Sequence, residues 1–306
     1  MHQAATSEPR AQYRGRFAPS PTGPLHLGSL IAALGSHLEA RTRGGEWLVR
    51  MEDIDTPRIV PGASDEILRT LEACGMQWDG PVVFQSERTP AYHAAIHVLA
   101  QCGMTYPCAC SRREIADSAV QGIEGHVYPG TCRAGLTGRR ARALRLRTQG
   151  ARVEFDDLLQ GTVAHDLQAD VGDFVLYRAD GIYAYQLAVV MDDAEQGVTD
   201  VVRGADLLQS TPRQIYLQRL LGVPQPRYLH LPVAVNSHGE KLSKQTKAPP
   251  VDRGRPTAAL LAALRFLGQS PPADLGGGTP RAVMQWATEN WRRGAIPHTR
   301  VLQPDW

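Results

Sequence analysis

Residues suited to binding phosphate groups are concentrated in two segments of the 306-residue chain. The first is APSPTGPLHLGSL at residues 18–30, which follows a strand-like stretch and leads into an apolar helical pattern. A strand, a proline- and glycine-rich turn and a helix start place free backbone amides at one edge of a sheet. His26 and the hydroxyls of Ser20 and Thr22 would add donors for an anion there. Taken alone, the segment also fits a rigid strand-to-helix connection that binds nothing.

The second segment is HGEKLSKQTK at residues 238–247, in which Lys241 and Lys244 stand three residues apart in a glycine-containing loop. Taken alone, this loop also fits a solvated basic surface.

Nothing in the first segment matches a Walker A loop or a GxGxxG motif, so phosphate binding there would depend on His26, the hydroxyls and the backbone.

Three of the five cysteines lie close together, with Cys108 and Cys110 two residues apart and Cys132 a short distance downstream. This part of the chain has no apolar core of its own, and zinc bound by thiolates would hold it together. Three thiolates leave one position of a tetrahedral site open. General ligand chemistry nominates His126 for that position, because imidazole is a common zinc ligand. The alternative is a set of reduced, metal-free thiols.

Two further charged clusters have both a functional and a structural interpretation. Six arginines lie between Arg133 and Arg147, and they are spaced irregularly enough to form one basic surface. Contact with RNA phosphates and a solvated face are equally good interpretations of them. Asp53 and Asp55 form an acidic DxD arrangement, for which we predict a structural role, in capping or in pairing with Arg58, and no metal.

The elements that must position these residues alternate between strand-like and helical patterns. In the first third of the chain a helical pattern follows each of the strand candidates at residues 13–19, 46–53 and 81–86. This alternation predicts an α/β fold with a parallel, doubly wound sheet. Residues 173–193 contain two further strand-like runs around a turn at Asp180 and Gly181, and Ser210 or Thr211 caps a later helix.

The composition limits the classes of protein to which the chain can belong. The formal net charge of +2 and the isoelectric point near 8.3 neither require nor exclude a nucleic-acid partner. No apolar run approaches the roughly 20 residues of a membrane span, and the first residues lack the apolar core of a signal peptide. We therefore expect a cytoplasmic protein without a membrane partner, and a monomer by default.

An odd number of cysteines argues against a disulfide framework, and Cys74 and Cys102 are predicted core residues.

The two phosphate-binding candidates together resemble the HIGH and KMSKS signatures of class I aminoacyl-tRNA synthetases. More narrowly, RFAPSPTGPLHLGS, RMEDIDTPR, YAYQLAVVMDD and VVRGADLLQSTPRQ are similar to the glutamyl branch of that class. The resemblance extends from about Tyr13 to Lys247. Only residues 246–306 follow KLSKQ, which resembles a truncated paralogue of the glutamyl-tRNA synthetases that lacks their large anticodon-binding region.

The resemblance implies the Rossmann-type, doubly wound parallel sheet of class I synthetases, with a zinc-containing insertion and a short helical C-terminal region. The expected divisions are a flexible tail at 1–12, the first half of the nucleotide-binding domain at 13–107, a zinc-binding and basic insertion at 108–150, the second half with the KLSKQ loop at 151–250, and two C-terminal helices at 251–306 without an anticodon-binding domain.

The resemblance also implies roles for individual residues. It implies that the catalytic residues are His26, Lys244 and, as second choice, Lys241. It implies that the ATP-binding residues are His26, Gly28, Ser29 and Lys244. Glutamate binding falls to Arg16, Phe17, Ala18, Pro19, Ser20, Glu52, Tyr185 and Arg203. Glu52 is the natural partner of the ammonium group, and an arginine fork suits a carboxylate. Which of the two arginines holds which carboxylate stays open, and Tyr185 can donate its hydroxyl.

The chain departs from the signatures at three positions. Ser29 stands at the second histidine of HIGH, and Leu242 and Gln245 replace the methionine and the last serine of KMSKS. A serine at this position is familiar in glutamyl enzymes, whereas Gln245 leaves undetermined how the KLSKQ loop closes. For the metal site, the resemblance nominates Tyr128 as the fourth ligand beside the three thiolates, with His126 as its rival.

The implied reaction uses ATP, Mg²⁺ and L-glutamate to form glutamyl-adenylate without a need for tRNA. The glutamyl group is then moved to the cyclopentenediol of queuosine, the modified wobble base of tRNA(Asp). One alternative is a minimal glutamyl-tRNA synthetase that esterifies the 3′ terminal adenosine. Another is a noncatalytic tRNA-binding relative, but a protein of that kind would tolerate the loss of residues that are all present: His26, Glu52, Arg203 and Lys244.

Overall fold

The structure of the chain, a computed structural model, describes residues 12–123, 125–242 and 249–304. Almost all of the predicted tail and most of the KLSKQ loop, including Lys244 and Gln245, lie outside the described residues. The strands, numbered β1 to β14 in chain order, are Arg14–Phe17, Glu46–Met51, Val83–Phe84, Thr105–Cys108, Gln121–Gly122, Gly125–His126, Ala143–Leu146, Arg152–Asp157, Gly161–Asp166, Val175–Tyr177, Asp200–Gly204, Arg227–Leu231, Val233–Ala234 and Val301–Leu302. The α-helices, numbered α1 to α9, are Leu27–Arg41, Ala63–Ala73, Thr89–Gln101, Arg112–Ser118, Leu167–Asp170, Tyr185–Glu195, Thr211–Leu221, Pro256–Phe266 and Pro280–Asn290.

Parallel strands form the framework of the fold, as the alternation of elements predicts. β2 pairs in parallel with β1 and β3, and β12 pairs in parallel with β11 and β8. β11 lies beside β1, where the Thr199 N–H donates to the Arg14 carbonyl oxygen across 2.9 Å and links the two groups of strands. Because parallel strands end at the same edge, the residues that end β1, β2 and β11 lie on one side of the sheet.

Helix α1 is held against this sheet by one apolar face. The leucines on that face are spaced four residues apart and are fully buried: Leu30, Leu34 and Leu38. The helix begins after His26, whose ring caps its first turn, and ends at Arg41. A Cβ on Gly35 would lie 2.5 Å from Leu231 Cδ1, so a larger residue there would force the Leu231 side chain to shift.

A smaller antiparallel sheet stands beside the framework. β7 pairs with β4 on one side and with β10 on the other. The chain between β4 and β7 contains α4 and the short β5–β6 hairpin, and it carries two of the three clustered cysteines, while Cys108 ends β4. The strands of this sheet extend on both sides of the predicted insertion at 108–150, since β4 begins at Thr105 and β10 lies at 175–177.

Two predictions from the sequence are wrong. The second strand-like run after the Asp180–Gly181 turn forms helix α6, which begins at Tyr185. A short apolar run fits a buried helix as well as a buried strand, and α6 has buried residues on most of its surface, so no polar stripe marks it as a helix. Cys74 is buried as predicted, but Cys102 is exposed, because it follows the last turn of α3 at the surface.

The later helices agree with the predictions. α7 begins at Thr211, with Ser210 at the N-cap position and a proline in the first turn. α8 and α9 are the two predicted C-terminal helices, and both pack against α1. The pairing of β14 with β13 was not predicted. Among the described residues, no helix combines the length and the apolar character needed to cross a membrane.

Candidate active site

A cleft lies at the edge where β1, β2 and β11 end and where α1 and α6 begin, and it encloses a cavity of about 200 Å³. The predicted site residues that line it are Arg16, Phe17, Ala18, His26, Gly28, Ser29, Glu52, Tyr185, Arg203 and Lys241. Pro19 and Ser20, which the structure also describes, lie outside the lining. The Pro19 carbonyl oxygen nevertheless accepts the Glu52 N–H across 2.9 Å, so the turn after β1 is tied to the end of β2.

Glu52 follows β2, and its side chain is only 9% exposed. Its Oε1 atom has no hydrogen-bond partner among the described residues and lies 3.6 Å from Arg50 Nη2. Burial raises the pKa of Glu52 to about 7, and the guanidinium groups of Arg50 and Arg16 oppose this shift only in part. An incoming cation would therefore stabilise the ionised form of this carboxyl group.

A buried ion-pair cluster next to Glu52 was not predicted. Nε and Nη2 of Arg16 lie 3.1 and 3.3 Å from the two carboxylate oxygens of Asp193. The fully buried Arg50 places Nη2 2.8 Å from the same carboxylate. Although burial opposes ionisation, these two guanidinium groups hold the pKa of Asp193 below its usual range. Arg16 is thus fixed by the protein, and a ligand could contact only the part of its guanidinium that Asp193 does not use.

Arg203, near the end of β11, is held from several sides. Its Nε donates to His230 Nε2 across 3.0 Å, and its Nη2 donates to Thr211 Oγ1 and Gln214 Oε1, both across 2.8 Å. The remaining nitrogen, Nη1, lies 3.5 Å from the Tyr185 hydroxyl in the wall of the cleft. The sequence identified Arg203 and Tyr185 but not the roles of the three supporting residues: Thr211 and Gln214 lie within the VVRGADLLQSTPRQ motif without a role of their own, and His230 lies outside the motifs.

His230 is in turn held by Asp157, since its Nδ1 lies 2.6 Å from Asp157 Oδ2 and both side chains are fully buried. An arginine can only donate, so His230 Nε2 must accept and Nδ1 must carry the proton. Burial and the nearby charge of Arg203 lower the pKa of His230 to about 4, whereas the hydrogen bond to Asp157 raises it in part. The imidazole is therefore neutral at physiological pH.

The two predicted phosphate-binding segments meet at the cleft. His26 pairs with Pro250 in an isolated antiparallel bridge. A Cβ on Gly28 would lie 3.2 Å from the Leu242 carbonyl oxygen, so the glycine permits the KLSKQ loop to approach closely. The His26 ring lies against Ser29, with Nδ1 3.3 Å from the Ser29 nitrogen and Nε2 3.0 Å from its Oγ.

Of the two predicted lysines, the structure describes only Lys241. Its Nζ lies 2.5 Å from Asp206 Oδ2, and both residues line the cleft. Asp206 follows β11, so this ion pair connects the start of the KLSKQ loop to the strand that carries Arg203. Sequence reasoning did not identify Asp206.

The DxD arrangement has the structural role that we predict from the sequence. Arg58 Nε lies 2.6 Å from Asp55 Oδ2. Asp53 accepts hydrogen bonds from the backbone nitrogen and the hydroxyl of Ser86, across 2.8 and 2.7 Å. These contacts fix the loop that follows Glu52.

The cysteine cluster has the dimensions of a metal site. The three Sγ atoms of Cys108, Cys110 and Cys132 lie within 4.8 Å of one another. The Tyr128 hydroxyl lies 3.4 Å from Cys108 Sγ and 3.7 Å from Cys110 Sγ. Zinc–sulfur bonds of about 2.3 Å separate tetrahedral ligands by about 3.8 Å, so these atoms could hold one zinc ion. His126 is exposed at the end of β6.

The arginines between Arg133 and Arg147 do not form one basic surface. Four of them are held by contacts within the protein: Arg133, Arg139, Arg145 and Arg147. Arg145, for example, is buried with its guanidinium 3.8 Å from the centre of the Tyr128 ring. Arg140 and Arg142 are exposed, and their side chains have no ion-pair or hydrogen-bond partner in the described part of the chain.

Comparison with known proteins identifies the family. The family described as "tRNA synthetases class I (E and Q), catalytic domain" matches residues 12–276. A solved structure of a glutamate tRNA ligase from Elizabethkingia meningosepticum, in complex with its amino acid, superposes with a TM-score of 0.74 at 25% sequence identity. That match covers 94% of this chain and 66% of the ligase, so the chain spans about two thirds of the length of that protein.

More similar relatives have nearly the same length as this chain. The glutamyl-Q tRNA(Asp) synthetase of Dechloromonas aromatica is 62% identical over 293 residues, which cover 95% of this chain and 97% of the relative. The protein of the same name from Chromobacterium violaceum is 58% identical over 288 residues, with coverages of 94% and 96%. The chain therefore belongs to the glutamyl-Q tRNA(Asp) synthetases, within the class I tRNA synthetase family.

Proposed function

We propose that the chain activates L-glutamate with ATP and transfers the glutamyl group to the queuosine base of tRNA(Asp). The observation that carries this proposal is the cleft itself. In it a Glu52 oxygen that has no hydrogen-bond partner among the described residues, the Arg203–Tyr185 pair and the two signature segments lie around one cavity. We expect the protein to act as a monomer in the cytoplasm, where ATP and tRNA are available.

Glutamate recognition requires one anion and at least one cation from the protein. Glu52 receives the substrate ammonium group, because Arg50 and Arg16 only in part offset the burial of its carboxyl and a further cation stabilises the ionised form. Arg203 Nη1 and the Tyr185 hydroxyl bind a carboxylate from one wall, and Arg16 contributes from the other with the part of its guanidinium that faces the cleft. Phe17 and Ala18 line the cavity, while Pro19 and Ser20 support the turn.

In the activation step an oxygen of the substrate α-carboxylate attacks the α-phosphorus of ATP, and the bond to pyrophosphate breaks. His26, Ser29 and the first turn of α1 face the phosphates, and Gly28 leaves room for the nucleotide. Lys241 and Lys244 stabilise the charge that develops on pyrophosphate. Mg²⁺ bound with ATP neutralises part of the phosphate charge.

In the transfer step a hydroxyl of the queuosine cyclopentenediol attacks the acyl carbon of glutamyl-adenylate. An ester forms, AMP leaves with the electron pair of the broken bond, and the hydroxyl proton goes to a base or to water. The chain's part is to hold the two reactants together and to exclude competing water.

A structural zinc ion bound by Cys108, Cys110, Tyr128 and Cys132 completes the proposal. Its support is the distances among the three sulfur atoms and the Tyr128 oxygen. Zinc would cross-link the strand β4 to the loop before β7, in a part of the chain where the apolar core is small. His126, which is exposed, is the rival ligand.

The decisive test supplies the purified protein with ATP, magnesium, labelled glutamate and tRNA that either contains or lacks queuosine. Labelling of only the queuosine-containing pool supports the proposal. Equal labelling of both pools would instead indicate a minimal glutamyl-tRNA synthetase. Exchange of pyrophosphate into ATP in the presence of glutamate tests activation separately, and its absence would leave a noncatalytic tRNA-binding protein.

A further inference from the structure

A groove outside the cleft is rich in positive charge. It encloses about 650 Å³ between α4, β7 and β10, and five of the residues that line it are arginines, against one aspartate, Asp180. The side chains of Arg112 and Arg142 are exposed and have no ion-pair or hydrogen-bond partner among residues 12–123, 125–242 and 249–304. Arg113 has only a distant partner, Asp117, at 3.9 Å. The groove thus carries positive charge that the protein itself does not neutralise.

An aromatic hollow adjoins this groove and shares Arg142 with it. Tyr177 and Tyr183 form one wall of the hollow, with ring centres 5.0 Å apart and planes at 63°, and both are half-buried. His93 is exposed at the same hollow. Charged and aromatic side chains from four separate segments are therefore neighbours on one surface.

Two connections join this surface to the cleft. Tyr183 lies two residues before Tyr185, which lines the cleft at the start of α6. Arg178 Nη1 lies 3.4 Å from Asp55 Oδ2, and Asp55 lies in the loop that follows Glu52. The surface and the cleft therefore share two supporting segments, the turn before α6 and the loop after Glu52.

From this arrangement we propose that the surface, defined by Arg112, Arg113, Arg142, Arg178, Tyr177 and Tyr183, binds the loop of an RNA stem-loop. Arg112, Arg113 and Arg142 contact phosphates at the junction of stem and loop, Arg178 borders them while it is paired with Asp180 and Asp55, and an unpaired base stacks on the tyrosine wall. Unpaired loops are recognised through aromatic stacking together with phosphate contacts, whereas the bases inside a duplex are stacked on one another. The inference rests on the proposed function and adds where the RNA substrate docks.

The first test removes the two unpartnered charges in an Arg112→Ala/Arg142→Ala protein. The matched control is Arg265→Ala/Arg281→Ala, which removes two exposed arginines from α8 and α9. The probe is a fluorescent anticodon stem-loop RNA of tRNA(Asp). We expect the first protein to bind this RNA at least about tenfold more weakly. In a plot of the logarithm of its binding constant against the logarithm of the salt concentration, we expect the slope to be less steep by about 1.5. The control should bind within about twofold of the unmodified chain.

The second test addresses stacking with Tyr177→Leu, which keeps an apolar residue on β10. We expect binding of the stem-loop to weaken about tenfold, and binding of a blunt duplex of equal length to remain unchanged. Equal losses for both RNAs would overturn the stacking contact. Thermal unfolding of each variant shows whether the fold is retained.

Two further results separate this inference from the proposed function. If the unmodified chain transfers glutamate while the double arginine variant binds the stem-loop normally, the docking surface is wrong and the function stands. If the variants lose stem-loop binding but the unmodified chain never labels queuosine-containing tRNA, the proposed docking surface is supported and the proposed acceptor of the glutamyl group is wrong. Pyrophosphate exchange should be unchanged in every variant, because none of the altered residues lines the cleft.

Discussion

Arg203 donates its Nε–H to His230 Nε2 across 3.0 Å, in a contact that neither residue exposes to solvent. His230 Nε2 is available as the acceptor because the ring proton sits on Nδ1, which donates a hydrogen bond to Asp157. Asp157 and His230 are thus positioning residues, because they act on the cleft only through the guanidinium of Arg203. This chain of contacts keeps Arg203 Nη1 directed at Tyr185 and the cavity.

The first prediction concerns Asp157→Asn. The new amide can donate to His230 Nδ1, which moves the ring proton to Nε2 and sets a donor against the Arg203 donor. We expect the KM for glutamate in pyrophosphate exchange to rise about tenfold or more, with a smaller change in kcat, because the role proposed for Arg203 is to bind a substrate carboxylate. Asp156→Asn, on the exposed side of the same strand, is the matched control. An unchanged KM in Asp157→Asn would contradict the positioning role.

The second prediction is a pH dependence set by Glu52. Its pKa of about 7 applies to the free site, and a bound ammonium group favours the ionised form and lowers that pKa. Substrate binding therefore strengthens as pH rises through 7. We expect the dissociation constant of glutamate to fall about tenfold between pH 6 and pH 8, measured by calorimetry. Glu52→Gln should bind weakly at both pH values, and a pH dependence that survives this change would assign the titration to another group.

The third prediction separates the two candidate metal ligands. Tyr128→Phe removes one ligand oxygen and should weaken zinc binding by about tenfold or more, with a lower thermal midpoint of unfolding. His126→Ala should leave both quantities unchanged, since the imidazole is exposed and lies outside the sulfur cluster. Metal analysis of the purified proteins gives the zinc content. The reverse pattern would assign the site to His126, and no zinc in the unmodified chain would remove the site altogether.

The fourth prediction concerns Lys244, which lies outside the described residues. If it stabilises charge on departing pyrophosphate, Lys244→Ala should lower the rate of adenylate formation by about 100-fold while glutamate binding changes little. Lys247→Ala, in the same segment, is the control for loss of charge alone. Rapid-quench measurement of adenylate, together with calorimetry of glutamate, provides both quantities. Equal losses in rate and affinity would assign Lys244 to binding.

Elements with a regular pattern could be predicted from the sequence. The leucines of α1 and the strand–helix alternation identified the parallel sheet, and the HLGS and KLSKQ segments identified the two sides of the cleft. Helix α6 could not be distinguished from a strand, because both of its faces are buried and its apolar residues show no clear period. The arginines before β7 looked like one surface, but a list of charges does not show which of them pair internally.

The sequence by itself determined the chemistry that this protein can perform, since the signature segments, the arginines, Glu52 and the thiols are properties of the chain. Only the tertiary structure decided how these groups are supported. Asp193 fixes Arg16, and Asp157 acts on Arg203 through His230, across separations of 177 and 46 residues. The physical reason is that buried charges require partners, and any strand or helix that the fold brings near can provide them. Asp193 ends the YAYQLAVVMDD motif, but nothing in the local sequence of Asp193 or Asp157 shows which buried group it holds, so these pairings become visible only when the chain is folded.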